Sequence, residues 1–264
     1  MTVNRDTHLN LVESSRRLFE LDPGAEIEAG PGWVLGAGRS SHPLISNAAF
    51  RTDDGLDPEE LIALARDFFG ERGRGFALWA RAGAAEDDDL IAVAEAAGLE
   101  SAYEMPEMVL PRHAEERPLA ADVELRRVGS PTDAADYWRV AAAAYASIGF
   151  PPEIFAYYER HDGLSADNTV AFLAHLDGRP AAIAMTIVTG EVAGIYWVGV
   201  IEEARGSGLG RALTAAAVNA GFELGAELAS LQASPMGEPV YRAMGFETVL
   251  DYRLYHCPAP ATTT

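Results

Sequence analysis

Hydrophobic and polar positions in the second half of the chain follow periods that switch between strand-like and helix-like. Residues 123–128 alternate at a period of two, which predicts a strand. The Ser-Pro-Thr-Asp run at 130–133 is typical of a helix start, and the alanine-rich segment after it predicts a helix to about residue 147. The same criteria predict a second helix from 151, strands at 169–176, 181–188, 194–200, 228–233 and 246–255, and helices at 209–224 and 238–244.

The first half of the chain is patterned more weakly. Residues 76–79 and 105–110 predict strands on either side of a helix at 87–97, preceded by a strand at 43–50 and a helix at 57–69. This order resembles the strand, short helix and closing strand at the end of the chain. We therefore predict a degenerate α/β unit at 1–115, a linker near 112–121, a second unit at 122–256 and a disordered tail at 257–264. An unrelated N-terminal domain is the alternative interpretation.

Composition restricts the class of protein. The 264 residues are 48% hydrophobic, enough for a sizeable core, and neither a membrane-spanning run nor a leader pattern is present, so we expect a cytoplasmic protein. The net charge of −20 disfavours nucleic acids and anionic membranes as partners and is compatible with a cationic amine. A single cysteine, Cys257, and six histidines without clustered spacing predict neither a disulfide nor a metal site.

A glycine-rich segment joins the strand that ends near 200 to the helix that begins near 209. Residues 205–210 read Arg-Gly-Ser-Gly-Leu-Gly, and a turn in this position presents backbone N–H groups to an anion at the helix N-terminus. The glycine spacing differs from the dinucleotide fingerprint, and no acidic residue follows at the distance of a ribose contact. A P-loop is excluded because it needs a lysine, and the chain has none.

Together with a second motif, this segment resembles the GNAT superfamily of acyl-CoA-dependent N-acyltransferases. The second motif is Tyr241 followed by Gly245 and Phe246, similar to the Y-x-x-x-G-F signature of the family. The resemblance covers residues 122–255 and implies an α/β fold of the α+β kind. In that fold a mixed, mostly antiparallel central sheet is flanked by helices, and here a second, degenerate α/β unit would lie at the N-terminus.

The resemblance also implies where acetyl-CoA would bind as co-substrate. The backbones of Val198 and Val200 would bond the pantetheine arm, as an added strand does. Ser234 would lie near that arm, although a helix N-cap or a turn serine is an equally good interpretation. The backbone N–H groups that would hold the pyrophosphate belong to Arg205, Gly206, Ser207, Gly208, Leu209, Gly210 and Arg211.

The implied activity is transfer of an acetyl group from acetyl-CoA to a primary amine of a small molecule. Tyr241 is the candidate acid for the departing thiolate; the other interpretation is a tyrosine packed against the sheet. The middle of the central strand carries no acid, so Glu191 is the candidate base, with Glu153 or a water-mediated base as alternatives. A catalytically silent acyl-CoA-binding regulatory module is the competing function. A homodimer is compatible with the sequence.

Overall fold

The described residues form one sheet of eleven strands. The computed structural model describes residues 3–43, 46–158, 164 and 166–259. The sheet order is β1-β2-β3-β4-β11-β5-β10-β9-β8-β7-β6. The strands are β1 (Glu26–Gly30), β2 (Trp33–Ala37), β3 (Asn47–Arg51), β4 (Phe76–Ala82), β5 (Glu100–Leu110), β6 (Val123–Arg127), β7 (Thr169–Leu176), β8 (Arg179–Thr189), β9 (Val192–Val200), β10 (Leu228–Gln232) and β11 (Glu247–Cys257).

Helices cover both faces of the sheet. They are α1 (Val3–Leu21), α2 (Pro58–Glu71), α3 (Asp88–Ala96), α4 (Pro131–Ala146), α5 (Leu209–Glu223) and α6 (Glu238–Met244). The Ser130 hydroxyl caps α4 by accepting from the Asp133 N–H, as the sequence predicts. The helix expected from 151 is a short 3-10 turn, Pro152–Tyr157, because a proline pair starts it and the backbone leaves the helical region at Tyr158.

The expected mixed and mostly antiparallel sheet is confirmed. Parallel pairing occurs at two places among the described strands, between β3 and β4 and between β9 and β10. Each parallel pair is linked by one helix, α2 in the first half and α5 in the second. Each is then followed by a short helix and a long closing strand, so the two halves of the chain repeat one arrangement.

The two repeated units are interlocked rather than separate. The strand β11, which closes the second unit, pairs with both β4 and β5 of the first. In the same way β5 pairs with β10 of the second unit. The boundaries expected at 115 and 122 therefore do not divide the sheet, because each closing strand finds its partners in the other unit.

Two further differences from the expected organisation concern the ends of the units. Cys257 lies in β11 opposite Phe76 and is buried, so the tail begins after it; residues 260–264 lie outside the described part. The expected linker near 112–121 is held in place at Ala114, which exchanges two hydrogen bonds with the Asn219 side chain of α5. The linker thus packs against the second unit.

The N-terminal helix α1, which hydrophobic patterning does not predict, crosses from the first unit to the second. Leu11 and Phe19 pack with the core of the first unit, while Leu21 packs with the core beneath α4. The Asn10 amide donates to the backbone carbonyls of Ile187 and Val192 at 2.9 and 3.0 Å. These bonds fasten α1 over β8 and β9.

Candidate active site

The glycine-rich loop has the geometry of an anion-binding helix start. Gly206 and Gly208 have φ angles of +78° and +84°, a region that favours glycine, and a Cβ added at either would meet no atom within 4 Å. The first bond of α5 runs from the Ala212 N–H to the Gly208 carbonyl. By helix geometry the N–H groups before Ala212 have no partner within α5, so they are available to an anion together with the positive end of the helix dipole.

The arginine side chains at the two ends of this loop bond protein groups. Arg205 donates to the Ser147 hydroxyl, which ties the loop to the end of α4. Arg211 donates to the Ala243 carbonyl at 3.1 Å, and so contacts the end of α6. The Ser207 hydroxyl donates to the Ala204 carbonyl at 2.6 Å. These side-chain contacts fix the loop. Of the N–H groups predicted to hold the pyrophosphate, that of Arg205 is already bonded, because it donates to the Glu202 carbonyl at 3.2 Å; those of residues 206–211 can face a ligand.

A cleft opens between β9 and β10 above the loop. The two parallel strands pair from Val192–Leu228 to Gly194–Ser230 and then diverge. Beyond Gly194 the edge of β9 that faces β10 has no strand partner among the described residues, and Val198 and Val200 lie on this stretch. An extended ligand can therefore bond this edge as an added strand does.

A β-bulge bends β9 within the cleft. The register with β8 shifts between the Ile183 and Met185 pairs, and Trp197 on β9 has a φ of +53°. A non-glycine residue in this region is strained by about 1–3 kcal/mol. The Trp197 ring packs against Tyr145 and Phe155, with ring centroids 5.0 and 5.3 Å away, and this aromatic cluster holds the bulge in place.

Tyr241 lies on α6 and is buried among residues of α5 and the sheet. Burial raises the pKa of Tyr241 to about 12, while the Thr214 hydroxyl opposes this shift. The phenol therefore keeps its proton at neutral pH, as a proton donor must. The Tyr241 hydroxyl lies close enough to Thr214 of α5 and to Tyr145 of α4 to interact with both side chains.

Ser234, immediately beyond β10, stabilises a local turn, which is the alternative to the predicted contact with the pantetheine arm. Its hydroxyl accepts from the Gly237 N–H at 3.1 Å, and its carbonyl accepts from the Gly237 and Glu238 N–H groups. The side chain is half-buried. These bonds shape the turn that leads into α6 and place Tyr241 one helical turn later.

The structure does not bring Glu191 together with the other predicted residues. Glu191 is exposed in the turn before β9, where its carbonyl accepts from the Glu227 N–H at 2.8 Å. This is the closed end of the cleft, and the nine residues of β9 separate it from the glycine loop by about 30 Å. Six strand residues, about 20 Å, separate Glu191 from the bulge at Trp197, so its carboxylate lies outside the open part of the cleft. The side chain of Glu153 lies outside the described part of the chain.

Glu107 is a buried acid beside the cleft that sequence reasoning missed. It lies on β5 of the first unit, opposite Gln232 of β10, and its side chain is fully buried. The Gln232 amide donates to one carboxyl oxygen; the other has no hydrogen-bond partner among the described residues. Burial raises the pKa of Glu107 to about 8, against the opposing effects of Gln232, Thr7 and Ser230. The available signal was an acid directly before the apolar end of β5, residues 108–110, whereas Glu100 and Glu104 lie in the exposed first half of the strand.

The first unit has no equivalent of the glycine loop. Its parallel pair β3–β4 is joined through a turn that carries Asp53, Asp54 and Asp57. Asp57 caps α2 by accepting from the Glu59 N–H at 2.9 Å, and Asp53 accepts from the Gly55 N–H at the same distance. Carboxylates therefore occupy the place where an anion would bind, which makes the first unit unsuited to a pyrophosphate.

The described residues contain neither a metal-binding cluster nor a helix that could cross a membrane. No group of three or more His, Cys, Asp or Glu side chains there has an arrangement that holds a metal ion. None of the helices in that part of the chain is both long and apolar enough to cross a bilayer.

Comparison with known proteins gives one family match. Residues 112–235 match the acetyltransferase (GNAT) domain family, whose limits include β6 to β10 and the glycine loop. No curated protein matches the chain.

Solved structures with a similar fold extend over both units. A GCN5-related N-acetyltransferase from Kribbella flavida has a TM-score of 0.74 at 20% identity, covering 99% of this chain and 98% of that one. A GCN5-related N-acetyltransferase from Sphaerobacter thermophilus scores 0.64 at 14% identity, with coverages of 88% and 82%. A tandem GNAT protein from the clavulanic acid biosynthesis pathway scores 0.64 at 18% identity, with coverages of 91% and 85%. These likenesses show a common fold.

Proposed function

Starting from the premise that residues 112–235 carry a GNAT acetyltransferase domain, we propose that this chain transfers an acetyl group from acetyl-CoA to a primary amine of a small molecule. The observation that carries the proposal is the combination of the glycine loop with the unpaired edge of β9. The loop offers N–H groups for a pyrophosphate, and the strand edge offers backbone partners for a pantetheine arm.

The proposed residues follow the order of the parts of acetyl-CoA, from the pyrophosphate through the pantetheine to the thioester. The backbone N–H groups of residues 206–211 would hold the pyrophosphate, since the Arg205 N–H donates to the Glu202 carbonyl, and Val198 and Val200 would bond the amides of the pantetheine. Ser234 lies beyond β10, across the cleft from that arm. The thioester would then lie near the bulge at Trp197, where β9 turns away from its neighbour.

The proposed reaction needs no covalent enzyme intermediate. The amine nitrogen attacks the thioester carbon, the C–N bond forms and the C–S bond breaks, the nitrogen loses one proton, and the CoA thiolate takes up another. Tyr241 is the proposed donor of that second proton, because burial keeps its phenol protonated. The net charge of −20 favours the approach of a cationic acceptor.

Acetyl-CoA binding, measured by isothermal titration calorimetry, tests the donor site. Gly208→Val should weaken binding by about 100-fold or more, because it distorts a turn whose N–H groups each contribute about 1.5–3 kcal/mol to an anion. Gly225→Val is the matched control: Gly225 also has a positive φ and open space around it, and it follows the other end of α5. Equal affinities for acetyl-CoA in the two variants would contradict the loop assignment.

Turnover tests the role of Tyr241. Tyr241→Phe should lower kcat for thiol release by about 10²-fold or more and leave the affinity for acetyl-CoA nearly unchanged, since the phenol acts on the leaving group. If kcat and affinity fall together, the acid role is wrong.

A silent acyl-CoA-binding module is the second candidate function. It is favoured by the absence of an acidic side chain in the middle of β9, where residues 195–197 are Ile-Tyr-Trp. A protein that binds acetyl-CoA and releases no thiol with a broad panel of amines would support this candidate against the first.

A further inference from the structure

Three side chains form a row across neighbouring strands on one face of the sheet, which we call the polar row: Glu107, Gln232 and Tyr196. Glu107 is opposite Gln232 in the β5–β10 register. Ser230 is opposite Gly194 in the β9–β10 register, so Gln232 and Tyr196 each lie two residues further along their parallel strands, on the same face. The polar row therefore reaches from the first unit to the residue before the bulge in β9.

Helix α1 covers the polar row. The Tyr196 hydroxyl donates to the Asn10 side chain at 2.6 Å, and the Thr7 hydroxyl is close enough to Glu107 to lower its pKa. Glu107 is completely buried, and Tyr196 is surrounded closely enough that burial raises its pKa strongly. The Gln232 amide donates to one carboxyl oxygen, and the other oxygen, which has no hydrogen-bond partner among the described residues, is free to receive a proton.

We propose that Glu107, a residue of the first unit, accepts the proton that the acceptor amine loses in the cleft of the second unit. The proposal rests on the acetyltransferase function proposed above. Glu107 lies on the strand next to β10, which lines the cleft, so the path of the proton from the amine to the carboxylate runs through a water in the cleft. The proton passes from the nitrogen through that water to the free oxygen of Glu107, and Tyr241 supplies the separate proton that the thiolate takes up.

The groups around Glu107 allow its carboxylate to accept a proton near neutral pH. Tyr196 of β9 and Tyr252 of β11 both interact with it electrostatically. His8 of α1 bonds the Tyr252 hydroxyl at 3.0 Å, and burial lowers the pKa of His8 to about 4, so it is neutral. Arg81 of β4 lies near Tyr252. Because burial brings the pKa of Glu107 to about 8, its proton affinity is close to that needed near neutral pH.

The experiment compares thiol release from acetyl-CoA by wild type, Glu107→Gln and Glu100→Gln, with water alone and with spermidine, from pH 6 to pH 10. Glu100 lies on the same strand and is exposed, which makes it the matched control. Glu107→Gln should lower kcat by about 10²-fold or more at pH 8 and remove the rise of kcat with pH that reports the base. The affinity for acetyl-CoA, measured by calorimetry, should stay unchanged in both variants.

Circular dichroism verifies that Glu107→Gln folds, and Glu107→Asp provides a second test because it keeps a carboxylate at a longer distance. Partial activity of Glu107→Asp together with loss in Glu107→Gln supports the proposal. An active wild type whose rate and pH profile are unchanged by Glu107→Gln overturns the role of Glu107 and leaves the acetyltransferase function intact. A wild type that binds acetyl-CoA and releases no thiol with water, with spermidine or with the broad panel of amines overturns both proposals.

Discussion

The burial of Glu107 leads to a prediction about protein stability that can be tested without an acceptor amine. In the folded protein its pKa is about 8, whereas the ordinary value is 4.5, because burial disfavours the charged form. Between these two pH values the folded state holds one proton more than the unfolded state, so the free energy of unfolding falls as pH rises. Each tenfold difference in proton affinity corresponds to about 1.4 kcal/mol, which gives a total loss of about 5 kcal/mol across the window.

Glutamine at this position resembles the protonated acid and does not titrate. We therefore expect the free energy of unfolding of Glu107→Gln, measured by urea denaturation, to exceed that of wild type by an amount that grows with pH. The difference should grow by up to about 1.4 kcal/mol per pH unit from pH 5 to pH 8 and then level off. The same comparison with Glu100→Gln should give a difference that does not vary with pH. A constant difference between wild type and Glu107→Gln from pH 5 to pH 9 would refute the reasoning.

Two other buried contacts lead to predictions about the free energy of unfolding, measured by urea denaturation at pH 7. Asp87→Asn should reduce the free energy of unfolding by about 3–5 kcal/mol, because Asp87 pairs with two buried arginines, Arg51 and Arg81, at 3.2 and 2.8 Å. Gly194→Ala should reduce it by about 1–3 kcal/mol, since the added Cβ would lie 1.9 Å from the Asn10 side-chain oxygen.

Each of these substitutions has a control close to it in kind. Asp88→Asn changes an exposed neighbour of Asp87 and should alter stability by less than about 0.5 kcal/mol. Gly129→Ala adds a Cβ that meets no atom within 4 Å. If either buried substitution cost no more than its control, the packing argument for that site would fail.

The elements of the second unit were predictable because their signals are local. The Ser130 cap, the alternation before it and the glycine turn before α5 each specify structure within a few residues. The candidate acetyl-CoA site could be predicted for the same reason, since its strand, turn and helix follow one another directly in the sequence. The role of Glu191 was a weaker inference, because strand position alone does not tell which end of a cleft is open.

Features that depend on distant partners could not be predicted. Helix α1 buries polar residues such as Asn10, whose partners Ile187 and Val192 lie 177 and 182 residues away in sequence. The hairpin of β1 and β2 was missed as well, although Gly32, with a φ of +86°, marks its turn. Glu107 looked like an ordinary strand acid because its surroundings come from three other segments.

The exchange of closing strands has a consequence for how the protein is made. The strand β11 inserts between β4 and β5, so the sheet of the first unit is split until β11 arrives. Since β11 follows the other described elements in the chain, the ribosome delivers it after them. Until then β4 and β5 each have a strand edge without its final partner. The sheet is therefore completed late, and these exposed edges are where a chaperone would protect the chain.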